Sequence, residues 1–240
     1  MRCLRSMNRL LVLVSVCSAS LLNGADLPDP LPSTEEVVTS LTQADLARAP
    51  KLTGYTSVRQ YRVENKRFGV RAAMKVEITY RAPNQKTFRI LEESGPAPVR
   101  KQVFKRMLES EKATARDGER EATQITSRNY EFKLTGIEVI DGRRMFVLEA
   151  EPRTKNQFLF RGRIWVDEED RAIARIEGSP AQSPSFWVKK TKFVHRYQRV
   201  GEFWLAESNH SDSEVRMFGH SITSIEYGDY KLDAPPAAAN

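Results

Sequence analysis

The sequence predicts a mainly β (α+β) protein: a large curved antiparallel sheet, or incomplete β-barrel, with an N-terminal helix and a mid-chain amphipathic helix covering one face. Three observations predict it. Ala72, Met74, Val76, Ile78 and Tyr80 alternate with Ala73, Lys75, Glu77 and Thr79, the period of a half-buried strand. From about residue 130 to 232, short apolar runs follow one another with turn residues between them, which reads as an antiparallel meander. The two helical segments do not alternate with strands one for one, so a doubly wound α/β fold is excluded.

The chain has 240 residues, a length that suits one domain or two small ones. Its start reads as a signal peptide over residues 1–25. Arg2, Arg5 and Arg9 form a basic region, Leu10 to Leu22 an apolar run, and Asn23-Gly24-Ala25 a cleavage region. The apolar run is short of the ~20 residues that span a bilayer. Both cysteines, Cys3 and Cys17, fall inside this segment. The exported domain therefore has no disulfide, thiol nucleophile or thiolate metal site. Lipidation of Cys17 is disfavoured, because Val16 stands where a lipidation signal needs a small residue. The formal net charge of +7 includes the arginines of this segment. What remains is mildly basic and dispersed, with no case for nucleic acid.

A Pro-rich leader (DLPDPLP) precedes Ser33-Thr34-Glu35-Glu36, where Ser33 and Glu36 form a capping box. Val37, Val38, Leu41 and Ala44 share a helical face, and the helix is expected to end before Pro50. Tyr55 to Val63 is the expected hairpin partner of the Ala72–Tyr80 strand, and Thr87 to Leu91 a third strand after the Pro83-Asn84 turn. Val99, Val103 and Met107, flanked by Phe104 and Leu108, make an amphipathic helix of about four turns to Ala115. Residues 116–128 are polar and read as loop or short helix. Asp141-Gly142 is a hairpin signal, because a type I′ turn needs positive φ at both central residues. Phe158 to Val166 and Ile173 to Ile176 flank Asp167-Glu168-Glu169-Asp170, read as a solvated turn. In that reading Phe158, Phe160, Ile164 and Val166 share one face, with Leu159 and Trp165 on the other. Phe186–Val200 pairs with Phe203–Asn209, and Val215–Phe218 with Ser221–Tyr230. Residues 233–240 form a disordered tail.

The familiar catalytic motifs, such as a nucleophile elbow, a phosphate-binding loop or a zinc-protease helix, are absent from the sequence. His195, His210 and His220 fall in different strands or turns without metal-ligand spacing. No enzyme activity, metal or cofactor is expected. The aromatic side chains gather in the C-terminal strands, among them Phe158, Phe160, Trp165, Trp187, Phe193, Trp204 and Phe218. They are either ordinary core or the wall of an apolar cavity.

The order of elements, together with particular stretches, resembles the LolA-like periplasmic outer-membrane lipoprotein-sorting family, whose fold is shared by LolA, LolB and RseB. Those stretches are Arg161–Gly178 (RGRIWVDEEDRAIARIEG), Glu77–Pro83 (EITYRAP) and Ile225–Tyr230 (IEYGDY). The resemblance implies a half-barrel with helices as a lid over an apolar cavity. It also implies carriage of acyl chains in the periplasm, with envelope-stress sensing or an outer-membrane-anchored receptor as alternatives. It fixes no single functional residue.

The expected ligand is the acyl chain of a lipid or lipoprotein, held by a periplasmic monomer that serves an inner- or outer-membrane lipoprotein-transport partner. The expected cavity lining is Met74, Val76, Ile78, Phe88, Ile90, Phe146, Leu148, Phe158, Phe160 and Ile164. Val103, Phe104, Met107 and Leu108 are the expected lid. A regulatory protein of the same fold, binding a membrane-embedded partner, is the main rival.

Overall fold

The Ser33 hydroxyl accepts the Glu36 N–H at 3.2 Å, and the Glu36 carboxylate accepts the Ser33 N–H at 2.7 Å. This capping box opens α1, Thr34–Arg48. A 3-10 turn, Ala49–Lys51, then carries the chain past Pro50. The computed structural model describes residues 31–113, 123–156, 158–183, 186, 188–217 and 219–233. The expected signal peptide and its cleavage site, the end of the expected mid-chain helix at 114–115, Trp187, Phe218 and residues 234–240 of the expected tail lie outside them. Asp233, the first residue of that tail, lies inside, and its N–H donates to the Gly54 carbonyl at 3.0 Å.

Ten strands follow: β1 Gly54–Asn65, β2 Val70–Arg81, β3 Gln85–Ser94, β4 Tyr130–Ile140, β5 Arg143–Pro152, β6 Phe160–Asp167, β7 Ala172–Pro180, β8 Val188–Val200, β9 Phe203–Val215 and β10 Gly219–Leu232. Between β3 and β4, a π-helical turn, Val99–Phe104, leads into α2, Lys105–Ala113. All strands join one antiparallel sheet in the order β3-β2-β1-β10-β9-β8-β7-β6-β5-β4. The sheet is an open half-barrel with β3 and β4 as its edges. β1 pairs with β10 across the length of the chain; every other neighbouring pair is consecutive in sequence, and the one long connection, the α2 segment, runs from one edge, β3, to the other, β4. Asp141 and Gly142 have φ of 50° and 77°, the positive values that a type I′ turn requires.

Both helices lie on the same face. Val37, Val38 and Leu41 of α1 pack on Phe146, Leu148 and Ile164 in one buried cluster. Phe104 packs on Tyr61, Met74 and Val76 in another. The opposite face carries a small cluster of Met145, Val147 and Trp165. There the Trp165 ring is sandwiched by the guanidinium groups of Arg163 and Arg175, at 4.8 and 4.9 Å, and its indole N–H donates to Glu138 at 2.8 Å. Long arginines thus bury an aromatic ring on a face that no helix covers among the described residues.

Gly162 and Gly178 sit opposite each other in β6 and β7. A Cβ on Gly162 would stand 1.9 Å from the Glu177 carbonyl oxygen, so only glycine lets these strands approach as they do.

The structure corrects the reading of the acidic turn. Asp167 is fully buried and accepts from Arg143 Nε at 2.5 Å and Nη2 at 2.8 Å. It also accepts the N–H groups of Glu169 and Asp170. The Asp170 carboxylate accepts the Trp204 indole N–H at 3.0 Å. Arg48, at the end of α1, donates to the Asp170 and Arg171 carbonyls. The turn is a clasp joining α1, β5, β6 and β9. Sequence alone hides this, because a run of carboxylates carries no sign of the arginines that meet it. The Phe158–Val166 reading also shifts: β6 begins at Phe160, so alternation does not govern the residues before it. Leu159 packs in the same cluster as Phe160, while Trp165 faces away from Ile164, as the alternation requires.

Candidate functional site

One register row crosses the helix-bearing face from β4 to β2: Leu134, Leu148, Ile164, Ile176, His195, Asn209, Ile225, Tyr61, Met74. Its two ends lie in the buried clusters under α1 and α2. Its middle, His195 on β8 and Asn209 on β9, lies in neither. Here the described residues cover the face incompletely, and cavities lie among them.

A cavity of about 420 Å³ lies beside the C-terminal half of α1 and is lined by Leu46, Leu52, Ile125, Ile173, Tyr197 and Phe203, among others. A second, of about 370 Å³, is bordered by Ile125, Tyr130, Phe160, Phe193, His195 and Tyr197. A third, of about 440 Å³, is bordered by Arg59, Met107, Glu111, Asn209, Ile225 and Tyr227. The first two share Ile125 and Tyr197, and the second and third share Asn209. Through these residues the three adjoin one another in a trough over β8, β9 and β10, apolar and aromatic at the α1 end and polar at the α2 end. Each volume falls in the range of small-molecule sites.

At the α2 end, the Arg59 guanidinium pairs with the Glu111 carboxylate. The Tyr61 hydroxyl donates to the same carboxylate at 2.7 Å. Arg59 also lies over the Tyr227 ring, 4.7 Å from its centroid. Burial alone would lower the Arg59 pKa, but Glu111 and the ring of tyrosines hold it above the ordinary value. Burial pushes the Tyr61 and Tyr227 hydroxyls up, reinforced by Glu111, so both stay neutral. Burial pulls Lys86 down, against the attraction of Glu111.

In the middle, burial pulls His195 down to about 4, against a hydrogen bond to Asn209 that raises it. The imidazole is neutral at pH 7 and packs on the Phe193 ring at 4.8 Å. It therefore adds no charge to the trough. Among the described residues no cluster of His, Cys, Asp or Glu could hold a metal ion.

The structure distributes the expected lining between core and cavity. Met74, Val76, Ile78, Phe146, Leu148 and Ile164 are fully buried and border none of the three cavities. Phe88 is half-buried against the α2 cluster. Ile90 is 50% exposed, because β3 is an edge strand that α2 does not reach across. Phe158 and Phe160 do border the trough, Phe158 from a turn rather than from the strand. Of the expected lid, Phe104 and Leu108 pack on the α2 cluster, Met107 borders the polar cavity, and Val103 points to solvent. Sequence reasoning missed His195, Tyr197, Asn209 and Tyr227. The alternation of Phe193, His195 and Tyr197 in β8 was the available signal, masked by the lysines and arginines between them.

A family model described as a family of unknown function, DUF5686, matches residues 123–231, which take in β4 to β9 and all of β10 but Leu232. A search among curated proteins finds no match. Solved structures similar to the chain include a DUF1329 family protein from Desulfovibrio piger (12% identity, 88% of this chain and 96% of that one, TM-score 0.42). A putative outer membrane lipoprotein-sorting protein domain from Vibrio parahaemolyticus is similar at 10% identity, with 85% and 94% covered and a TM-score of 0.43. A LolA superfamily protein from Nitrosomonas europaea is similar at 11% identity, with 86% and 96% covered and a TM-score of 0.38.

Proposed function

We propose that the chain is a periplasmic binding protein that holds the acyl chain of a lipid or lipoprotein in the trough over β8–β10, and that it carries its ligand without transforming it. One observation carries this reading: among the described residues, adjoining cavities lie between the two helix-capped cores, lined by Ile125, Ile173, Phe193 and Tyr197 and sharing Ile125 and Tyr197. Burying each methylene gains about 0.8 kcal/mol, so ten methylenes gain about 8 kcal/mol. That is micromolar affinity before the costs of association. The polar end, with Lys86, Arg59 and the tyrosine hydroxyls, suits the head of such a molecule.

The reading is tested by titrating the exported domain with an environment-sensitive fluorescent fatty acid. The expected result is saturable binding that unlabelled fatty acid displaces. Phe193→Glu weakens it about tenfold or more, because a carboxylate then stands among apolar walls. Val139→Glu, on an exposed side chain of the β4 edge, leaves it unchanged. Absence of saturable binding in the folded wild type, or equal binding by both variants, overturns the reading and turns attention to a protein partner.

A further inference from the structure

At one end of the sheet, side chains from three separate segments meet outside both cores. Arg67, in the β1–β2 turn, donates from Nη1 to the Met217 carbonyl in the β9–β10 turn at 3.1 Å. Arg216 of that turn lies 4.6 Å over the ring of Phe186, in the segment that leads into β8. Phe68 is 55% exposed, Phe186 74% and Met217 74%. Large apolar side chains gathered at one exposed place mark an interaction site more often than chance exposure does.

The same end is cationic. Lys66, Arg67 and Arg216 are exposed. Of the nearby described carboxylates, Glu64 is paired with Arg71 and Glu214 with Lys189, and Asp212 is hydrogen-bonded to the His220 ring at 3.0 Å. The charges of Lys66, Arg67 and Arg216 are thus left to face outward beside Phe68, Phe186 and Met217. Apolar and aromatic side chains that enter the headgroup layer, ringed by cations that meet lipid phosphates, are what an anionic bilayer surface recognises.

We infer that this hairpin end docks on an anionic lipid surface, with Phe68, Phe186 and Met217 inserted and Lys66, Arg67 and Arg216 against the phosphates. The docking does not depend on what fills the trough, although the two are close. Ser211, which borders the trough, is four residues from Val215 at the end of β9, roughly 13 Å along a strand.

The test is sedimentation of the exported domain with vesicles of phosphatidylglycerol and phosphatidylcholine in equal parts, against vesicles of phosphatidylcholine alone. The expected result is binding to the anionic vesicles that falls as salt rises. Each cation contributes about fivefold, so R67E/R216E weakens binding by more than about tenfold. F68S/M217S, with an unchanged circular dichroism spectrum, weakens it comparably. A matched charge reversal elsewhere, K101E/K133E, has a much smaller effect. No binding to anionic vesicles overturns the inference. So does equal binding to both vesicle types, or an equal loss in the matched control. Because the readout is sedimentation of protein, failure here leaves acyl-chain binding in the trough standing, and failure of that binding leaves this result standing.

Discussion

The Arg59 guanidinium of β1 is paired with the Glu111 carboxylate of α2, with the arginine side chain 4% exposed and the glutamate 21% exposed. The Tyr61 hydroxyl donates to the same carboxylate, and the Arg59 Nε has no hydrogen-bond partner among the described residues. A buried cation with an incomplete set of partners among the described residues depends strongly on the anion it is paired with. This pair, rather than apolar packing alone, ties α2 to the polar end of the trough.

Removing only the anion leaves that cation uncompensated. Glu111→Ala is expected to cost about 3 kcal/mol, the scale of breaking a buried pair, read from urea unfolding. Replacing both partners, as in R59M/E111L, recovers most of the loss, because no buried charge then remains. Equal destabilisation by the single and double variants would show that the pair is not coupled.

The Asp167 clasp has an acid limb. Burial raises the Asp167 pKa, but the hydrogen bonds from Arg143 and from the Asp170 N–H outweigh it and hold the carboxyl below its ordinary value. The folded pKa lies under the unfolded one. The clasp's contribution is therefore fully present above about pH 4 and is lost as pH falls through the folded value. Asp167→Asn lowers stability at pH 7 and flattens the dependence of stability on pH below about pH 4. An unchanged acid limb in that variant would contradict the assignment.

His195 acts in a different window. Its folded pKa, about 4, lies below the unfolded value of about 6.5. Between these values the unfolded chain binds the proton and the folded one does not, so stability falls as pH drops from about 6.5 toward 4. The expected loss is about 1–2 kcal/mol between pH 6.5 and 5. Chemical denaturation at several pH values detects it, and His195→Gln abolishes that part of the slope.

Gly162→Ala sets a Cβ against the Glu177 carbonyl oxygen and the Gly178 Cα, which are backbone atoms that cannot rotate away. The β6–β7 pairing must shift, at about 2 kcal/mol or more. Gly69→Ala, at positive φ but with open space around it, costs about 1 kcal/mol. Thermal unfolding of the two variants ranks them, and the reverse order would contradict the close approach of β6 and β7.

Much of the fold was legible because it rests on local rules. The capping box at Ser33 and Glu36, the Asp141-Gly142 turn and the period of two in β2 each specify their own element. The site was legible only in part, for a physical reason. Alternation shows that Met74, Val76 and Ile78 share a face, but not whether a helix seals that face. The answer depends on where α2 lands, through contacts such as Phe104 on Tyr61 that are long-range in sequence. Met74→Glu therefore places a charge in packed core and tests folding rather than ligand binding. The trough falls instead on β8 and β9, whose apolar residues are interrupted by His195 and Asn209 and give a weaker pattern. Asp167 was misread for the same reason, since its partner Arg143 lies 24 residues away.

The most direct measurement is native mass spectrometry of residues 26–240 recovered from a bacterial periplasm, for the wild type and Phe193→Glu. An occupied trough predicts adducts of lipid mass on the wild type, removed by gentle activation and lost in the folded variant. A clean apo mass for the wild type, unchanged after incubation with acylated lipoprotein, would contradict acyl-chain binding and leave the gap over β8–β10 without a lipid role.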